Sequence, residues 1–309
     1  MCRVLMYNGH AVRLDDLLYQ PNNSLVKQAY DPQMLDALSL AGFGLLAWDD
    51  SSRDPHVPFS YRTASIPIFD QNLKALAEKL CVTALLAHVR GVPYSENVTV
   101  GEQNLHPFHY KGYGLAMAHN GQLAGFDRMR FALVEHVRPE IARLIRGDTD
   151  SEWIYAVLLS QLDDPRRTLS PDEALQAVDR TLAIIRAVRR QHDISTSSPT
   201  NLFISDGRFV IAVRFAFDYG CYDMNDPVPY NNADHKFLGI WYTTGKAYRQ
   251  QDGEWKMIRG PVEDRRSLLV SSEPLTRDAS TWLEVPEYSA LISTAEDGNQ
   301  HMRVKHLDV

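Results

Sequence analysis

The sequence predicts a layered α+β fold, and three observations lead to it. Strand-like apolar runs occupy both ends of the chain, and helical patterns follow one another in its middle. Strands grouped on either side of consecutive helices favour layered sheets and helices over alternating βαβ units. The third observation is size, because 309 residues of even composition with 44% hydrophobic residues can bury one large core. We therefore expect a single domain over residues 2–309, whose strand-rich part from about residue 200 completes the sheets.

Short strands dominate the predicted first part of the chain. Apolar runs with β-branched residues or paired glycines predict strands at residues 2–7, 42–48, 59–66, 82–89 and 112–118. Asn8-Gly9 is expected to end the first strand, and His119-Asn120-Gly121 has the composition of a hairpin turn. Leucines at helical spacing predict short helices near residues 14–18 and over 73–80.

Helices and then further strands are expected in the rest of the chain. Helical patterns cover residues 126–145, 153–162 and 171–190. Asp150-Ser151 offers a cap to the second helix, and Ser170-Pro171 is a strong start signal for the third. Strands are predicted at residues 201–204, 209–214, 238–243, 255–258, 268–270 and 282–294. The long loop over 217–236 either covers a binding site or is a plain surface excursion.

Charge and composition narrow the function classes. A net charge of −7 and a pI near 5.9 argue against a nucleic-acid or anionic-membrane surface, because either would need a basic stripe. No apolar run approaches the roughly 20 residues of a membrane span, and no leader pattern is present. We therefore expect a cytoplasmic protein that acts on a small molecule. Cys2, Cys81 and Cys221 are widely spaced, which suggests neither a disulfide framework nor a thiolate metal site.

Cys2 is the first candidate catalytic residue. Removal of Met1, which is usual before a small residue, would leave a cysteine that carries both a thiol and a free α-amine. The amine, with a pKa near ~8, is partly neutral at physiological pH and can take the proton of the thiol. One residue then supplies nucleophile and base. The alternative is a small apolar residue packed in the first strand, since free cysteine packs like a hydrophobe.

Three further groups suit a thiol that attacks an amide. The Asn120 side chain and the Gly121 N–H can hold a tetrahedral oxyanion, although Asn-Gly is also common in ordinary hairpins. Arg90, at the end of a buried strand, can bind a carboxylate with two hydrogen bonds, or form a surface ion pair. Asp150 can accept hydrogen bonds from an ammonium group, or cap a helix. Together these groups describe a site for an amino acid with a side-chain amide, and glutamine is that molecule.

The chain resembles the class II glutamine amidotransferases, in nearly its whole length and in the right order. Within that family it is similar to the stand-alone branch that includes enzymes cleaving γ-glutamyl bonds in thiol metabolism. The motifs that carry the resemblance are Met1-Cys2-Arg3, Gly42-Phe43-Gly44, His88-Val89-Arg90, Asn104-Leu105-His106-Pro107-Phe108, His119-Asn120-Gly121, Thr149-Asp150-Ser151-Glu152, Ser271-Ser272-Glu273-Pro274-Leu275 and the stretch 282–286.

The resemblance implies an N-terminal nucleophile hydrolase fold, in which two antiparallel sheets pack face to face between helices in an αββα sandwich. It implies Cys2 as nucleophile, Asn120 and Gly121 as oxyanion hole, and Arg90 and Asp150 on the α-carboxylate and α-ammonium of the substrate. We add His119 to the substrate-binding set. The expected activity is hydrolysis of the γ-amide of L-glutamine or of a γ-glutamyl compound through a thioester on Cys2.

One departure from the family pattern and several alternatives accompany this hypothesis. Many members have a threonine three residues after the arginine, where this chain has Pro93 followed by Tyr94. The alternatives are an N-terminal-cysteine amidase of another substrate class and a catalytically silent γ-glutamyl-binding partner subunit. The sequence gives less support to a catalytic pair of Cys81 or Cys221 with a histidine, and to a zinc site at His106 and His109. No cofactor or metal is expected, any ammonia acceptor or synthetase is expected in trans, and an oligomer is possible.

Overall fold

Two antiparallel sheets form the centre of the structure, a computed structural model that describes residues 2–34, 37–92, 100–221 and 238–309. The first sheet has the strand order β13 (Leu283–Glu284), β9 (Trp241–Gly245), β12 (Ser267–Ser271), β1 (Arg3–Arg13), β4 (Cys81–Val89), β2 (Phe43–Trp48) and β3 (Phe59–Thr63). The second has the order β15 (Asn299–His306), β14 (Ser289–Glu296), β7 (Phe209–Arg214), β6 (Ser198–Ser205) and β5 (Ala116–Gly121), with β8 (Ala216–Phe217) also paired to β6. A separate hairpin consists of β10 (Ala247–Gln251) and β11 (Glu254–Ile258).

Helices cover the outer face of each sheet. They are α1 (Leu14–Leu18), α2 (Leu25–Gln28), α3 (Gln71–Ala77), α4 (Phe126–Val134), α5 (Pro139–Ala142), α6 (Asp150–Ser160) and α7 (Pro171–Gln191). The last four pack on the second sheet, and the first three, with the β10–β11 hairpin, pack on the first. A third apolar cluster, with Val4, Leu86, Ala118 and Phe203, fills the space between the sheets. The arrangement is the expected αββα sandwich. Within the described ranges, no helix is long and apolar enough to span a bilayer.

The alternation of side chains along β1 decides what faces the space between the sheets. Val4 and Met6 lie in the cluster between the sheets, whereas Leu5 and Tyr7 lie in the outer cluster. Because successive side chains of a strand point to opposite faces, Cys2 falls on the inner side with Val4. Cys2 therefore faces the second sheet.

Two predicted turns are wrong. Asn8-Gly9 does not end the first strand, which continues to Arg13 through a register shift between Asn8 and Val12. A Cβ at Gly9 would lie 2.7 Å from the Ser267 Cα, so the glycine serves close packing of two strands. His119-Asn120-Gly121 is likewise not a hairpin turn, because β5 stays paired with β6 as far as Gly121. The long-range ladder overrides the local turn composition in both places.

The helices follow the predictions more closely. Helix α7 begins with the capping box of Ser170 and Glu173 and ends at Gln191, and β7 has the predicted bounds. The predicted helix over 126–145 is divided, since Pro139 begins a new helix, α5. The predicted strand over 282–294 is also divided into β13 and β14. Residues 222–236 of the predicted loop, and Pro93 with Tyr94, lie outside the described residues.

Candidate active site

The thiol of Cys2 lies beside the backbone that follows β4. Antiparallel pairing of Arg3 with Val89 brings the start of β1 next to the end of β4. The Gly91 N–H donates to the Cys2 Sγ at 3.4 Å, and the Sγ lies 3.6 Å from the Gly91 carbonyl oxygen. The side chain is half-buried and forms no disulfide. The pairing of two central strands thus fixes where the sulfur lies.

Arg90 continues the line of β4 next to this sulfur. Its N–H donates to the Gly42 carbonyl at 2.9 Å, and its side chain is 5% exposed. Burial lowers the pKa of the Arg90 guanidinium, while the negative charges of Cys2, Asp148 and Asp150 act to raise it. A buried cation therefore stands within electrostatic range of the thiol and of two carboxylates.

Asn120 and Gly121 end strand β5 of the second sheet, and Asn120 is linked to the start of β1. The Asn120 side chain is 1% exposed, and its Nδ2 donates to the Ser272 Oγ at 3.4 Å. The same hydroxyl accepts the Val4 N–H at 3.0 Å. The Asn120 Oδ1 has no hydrogen-bond partner among the described residues. One hydroxyl group thus links the amide of Asn120 to the strand that begins with the thiol.

We expect Gly121→Ala to lower kcat by on the order of 10²-fold or more, the loss typical of one oxyanion donor. The added Cβ would lie 1.9 Å from the Pro199 carbonyl oxygen and 2.9 Å from the His119 Nε2, so the Gly121 N–H must move. The measurement is kcat together with the thermal midpoint. Gly112→Ala is the matched control, because Gly112 also has a positive φ but its added Cβ meets nothing within 4 Å. Equal activity of both variants would contradict a role for the Gly121 N–H.

Asp150 is the first residue of α6, and Thr149 caps that helix with its side chain on the Glu152 N–H. The prediction that Asp150-Ser151 forms the cap is therefore wrong. One oxygen of Asp150 accepts the Leu123 N–H at 2.6 Å, and the other accepts the Ser151 N–H at 2.7 Å. These bonds orient the Asp150 carboxylate beside the segment that follows Gly121. The carboxylate oxygens can still accept further hydrogen bonds.

His119 is connected to the Asp150 carboxylate through Ser151. Its side chain is 1% exposed, and its Nδ1 forms a hydrogen bond of 2.8 Å with the Ser151 Oγ, which also lies 3.1 Å from the Asp150 Oδ1. Burial lowers the pKa of His119, and the charge of Asp150 opposes that shift. Its direct contact with a substrate stays a prediction.

Asn104 and Glu152 hold the turn ahead of α6. The Asn104 Nδ2 donates to the Asp148 carboxylate at 2.7 Å, and Glu152 accepts the N–H groups of Arg146 and Gly147. A Cβ at Gly147 would lie 2.2 Å from the Asn104 Oδ1. The turn therefore holds Asp148 and Asp150 in a fixed relation to each other.

Two buried histidines, His88 and His106, have rings in close contact at a tilted angle. The rings of His88 and His106 lie 4.1 Å apart between centroids, and both side chains are buried. Burial is the main cause that lowers the pKa of His88 to about 3 and that of His106 well below its ordinary value. Both imidazoles are thus neutral at physiological pH. Among the described residues, no group of three or more histidine, cysteine, aspartate or glutamate side chains is arranged to hold a metal ion.

The depressed pKa values of His88, His106 and His119 predict acid lability. Below pH ~6.5 these histidines become protonated in the unfolded chain but stay neutral in the folded chain. The stability present above that pH is therefore lost as the pH falls toward 3. We expect a slope of up to roughly 1.4 kcal/mol per pH unit for each histidine. Urea unfolding between pH 7.5 and 5 measures it.

The variant His106→Phe keeps an aromatic ring at this position and should reduce the slope of stability against pH by the contribution of about one histidine. The control His136→Asn changes an exposed histidine and should leave the slope unchanged. A wild-type stability that stays constant over the whole range would contradict the expected acid lability.

The structure brings several predicted residues together and separates others from them. Cys2 and Arg90 lie where β1 starts and β4 ends, and Asn120 is linked to β1 through Ser272, whereas Cys81 is exposed at the other end of β4, where it pairs with Arg13. Gly91, Ser272 and Glu273 contact the nucleophile segment, and no role was predicted for them. Their signal in the sequence is position, since Gly91 is the second residue after β4, and Ser272 and Glu273 are the first two residues after β12.

Comparison with known proteins identifies the family of this chain. The family model described as class-II glutamine amidotransferases matches residues 70–232, more than half of the chain. The chain belongs to the class-II glutamine amidotransferases. Among the relatives of this amidotransferase, the probable glutamine amidotransferase DUG3 of Saccharomyces cerevisiae is 29% identical over 311 residues, which cover 94% of this chain and 81% of the yeast protein.

Solved structures share the amidotransferase fold. A glutamine aminotransferase class-II domain protein from Silicibacter pomeroyi superposes with a TM-score of 0.60 at 19% identity, covering 99% of this chain and 100% of its own. The glutamine phosphoribosylpyrophosphate amidotransferase of B. subtilis, in complex with ADP and GMP, superposes with a TM-score of 0.58 at 16% identity. That match covers all of this chain and 50% of the B. subtilis chain. At these identities the likeness concerns the fold.

Proposed function

We propose that this class-II amidotransferase hydrolyses the γ-amide of L-glutamine or of a γ-glutamyl compound. Removal of Met1 gives Cys2 a free α-amine, which takes the thiol proton. The thiolate then bonds to the γ-carbonyl carbon, and the carbonyl electrons move to oxygen. When the oxyanion collapses, the C–N bond breaks, ammonia or an amine leaves with a proton, and a γ-glutamyl thioester remains. Water cleaves the thioester to glutamate and restores the thiol.

The observation that carries the proposal is the junction at Ser272. Its hydroxyl bonds both to the Asn120 amide at 3.4 Å and to the Val4 N–H at 3.0 Å. Nucleophile and oxyanion donor come from different sheets, yet one atom lies within hydrogen-bond distance of both segments. A positioned amide and the Gly121 N–H are the donors that a developing oxyanion requires.

Arg90 and Asp150 are proposed to bind the two charged groups of the amino acid. A buried guanidinium favours a carboxylate, because the pair gains two hydrogen bonds where solvent screens little. The Asp150 carboxylate is held by the N–H groups of Leu123 and Ser151 and suits an α-ammonium. His119 is proposed to support substrate binding through Ser151, its hydrogen-bond partner.

The test is glutamate release from L-glutamine and from γ-glutamyl peptides, followed by labelling with a glutamine-analogue alkylator. We expect hydrolysis of at least one of these substrates and a single labelled residue, Cys2. Asparagine and glutamine analogues without the α-carboxylate or the α-amine are the matched control compounds. Label on Cys81 or Cys221, or equal hydrolysis of the control compounds, would overturn the proposal.

Arg90→Lys and Asp150→Asn test the two charge contacts separately. Each is expected to raise KM for the full substrate by about 10-fold or more, because it breaks a charged hydrogen bond. Arg90→Lys should discriminate less against the analogue without the α-carboxylate, and Asp150→Asn should discriminate less against the analogue without the α-amine. Unchanged discrimination would assign the head group to other residues.

We also propose that residues 2–309 act as one domain. Strands from both ends of the chain are neighbours within the first sheet, where β1 lies between β12 and β4. An acceptor protein for ammonia, or an oligomer, fits the proposal as an addition in trans. Hydrolysis by the isolated protein needs neither.

A further inference from the structure

The hydrogen-bond ladder between β1 and β12 changes at the residue that leads to Cys2. Leu5 pairs with Ser271 in a regular antiparallel register. One residue further, the Ser272 N–H still donates to the Val4 carbonyl at 3.0 Å. In a regular pair the Val4 N–H would donate to the Ser272 carbonyl in return. Here it donates to the Ser272 Oγ at 3.0 Å, so a side chain takes the place of the backbone acceptor.

The Ser272 hydroxyl also accepts a hydrogen bond from the Asn120 side chain. The Asn120 Nδ2 donates to it at 3.4 Å, and both side chains are buried. An amide nitrogen carries two hydrogens, so a donation to Ser272 leaves the second N–H for another acceptor. Ser272 therefore hydrogen-bonds both to the Asn120 amide and to β1, the strand that begins directly after Cys2.

We propose that Ser272 is a positioning residue whose hydroxyl orients the Asn120 amide relative to Cys2. This inference rests on the proposed function, in which the second Asn120 N–H binds the oxyanion. The hydroxyl receives two N–H groups, one from each sheet, so a shift of either sheet disturbs the alignment of thiol and donor. Loss of this alignment lowers the rate of attack, because catalysis by such donors depends on their fixed geometry.

The serine before it supplies a matched control. Ser271 is also buried, and its Oγ donates to the Val4 carbonyl at 3.3 Å. That carbonyl already accepts the Ser272 N–H, so Ser271→Ala removes a hydroxyl from the same place without leaving the carbonyl unpaired. Ser272→Ala removes the acceptor of both the Asn120 Nδ2 and the Val4 N–H, whereas Ser271→Ala removes neither.

The test measures kcat, KM and the rate at which iodoacetamide alkylates Cys2, because that reagent needs no oxyanion donor. We expect Ser272→Ala to lower kcat by about 10- to 100-fold, with KM and the alkylation rate within about threefold of wild type. Ser272→Thr, which keeps the hydroxyl, should restore most of kcat. Ser271→Ala should stay near wild type.

A spectroscopic readout separates this inference from the proposed function. The side-chain amide NMR signals of Asn120 should shift in Ser272→Ala and remain in place in Ser271→Ala, whether or not glutamine is hydrolysed. An inactive wild type with shifted Asn120 signals would overturn the function and support the positioning role. Unmoved signals, kcat within threefold of wild type, or a parallel loss of kcat and alkylation rate would overturn the positioning role.

Discussion

Cys2→Ala is expected to reduce hydrolysis of γ-glutamyl amides to background, a loss in kcat of on the order of 10⁴-fold or more. The reason is that the sulfur forms the covalent bond in the proposed mechanism, and the two other cysteines are exposed. The thermal midpoint should change little, because the half-buried thiol contacts the backbone of Gly91. The measurement is glutamate release, with Cys81→Ser and Cys221→Ser as controls that should keep full activity.

A second version of this experiment tests the amine of Cys2. A cleavable N-terminal extension that ends directly before Cys2 leaves the thiol in place but turns the amine into an amide, which cannot take a proton. We expect activity to be absent before cleavage and to appear afterwards, in proportion to the fraction of free Cys2 found by mass spectrometry. Full activity of the uncleaved protein would assign the base to another group.

The elements that local patterns specify are those that the sequence predicted well. Helix α7 carries its own cap and start signals, and β7 follows Asp206-Gly207 and ends at the polar Arg214, so the sequence predicts both closely. Asn8-Gly9 is misleading because the neighbouring strand β4, which is distant in the sequence, pairs with β1 again beyond it, at Val12 and Arg13. The split at Pro139 was a local signal that the helical periodicity obscured.

Prediction of the candidate site has the same limit, because local patterns do not show which distant segments meet. Cys2, Arg90 and Asn120 could be chosen from chemistry at predicted strand ends, and the family model supports the class of protein. Their supporting residues could not be assigned a role, because a hydrogen bond between Arg3 and Glu273 joins positions 270 residues apart. One sequence does not show which distant polar residues meet, so Ser272 and Glu273 required the structure.

Glu273→Gln is expected to destabilise the protein by about 3–5 kcal/mol, as is typical when one partner of a buried ion pair is removed. The Arg3 Nε donates to the Glu273 Oε1 at 3.1 Å, and both side chains are 0% exposed. The other carboxylate oxygen accepts the N–H groups of Gln33 and Met34. Burial lowers the pKa of Arg3, and the charge of Glu273 is the largest opposing influence. Without that charge the guanidinium remains desolvated.

Activity should fall together with stability in Glu273→Gln. The Arg3 Nη1 donates to the Cys2 carbonyl at 3.1 Å, and the Nη2 donates to the Ala37 carbonyl at 3.3 Å. A guanidinium released from Glu273 no longer fixes the peptide of the nucleophile. We therefore expect slower alkylation of Cys2 by iodoacetamide, whereas Ser272→Ala is expected to leave that rate within about threefold of wild type. The comparison distinguishes a displaced nucleophile from a displaced oxyanion donor.

A double-mutant cycle with Arg3→Met measures the coupling in this pair by urea unfolding. The double variant should be more stable than the sum of the single effects by about 2–3 kcal/mol, because neither charge is then left buried alone. Asp252→Asn is the control, since its pair with Lys256 at 3.0 Å is exposed to solvent and should contribute little. Additive single effects would show that Glu273 acts through Gln33 and Met34 alone. The ion pair would then have no part in holding Cys2, because the guanidinium would keep its place without the carboxylate.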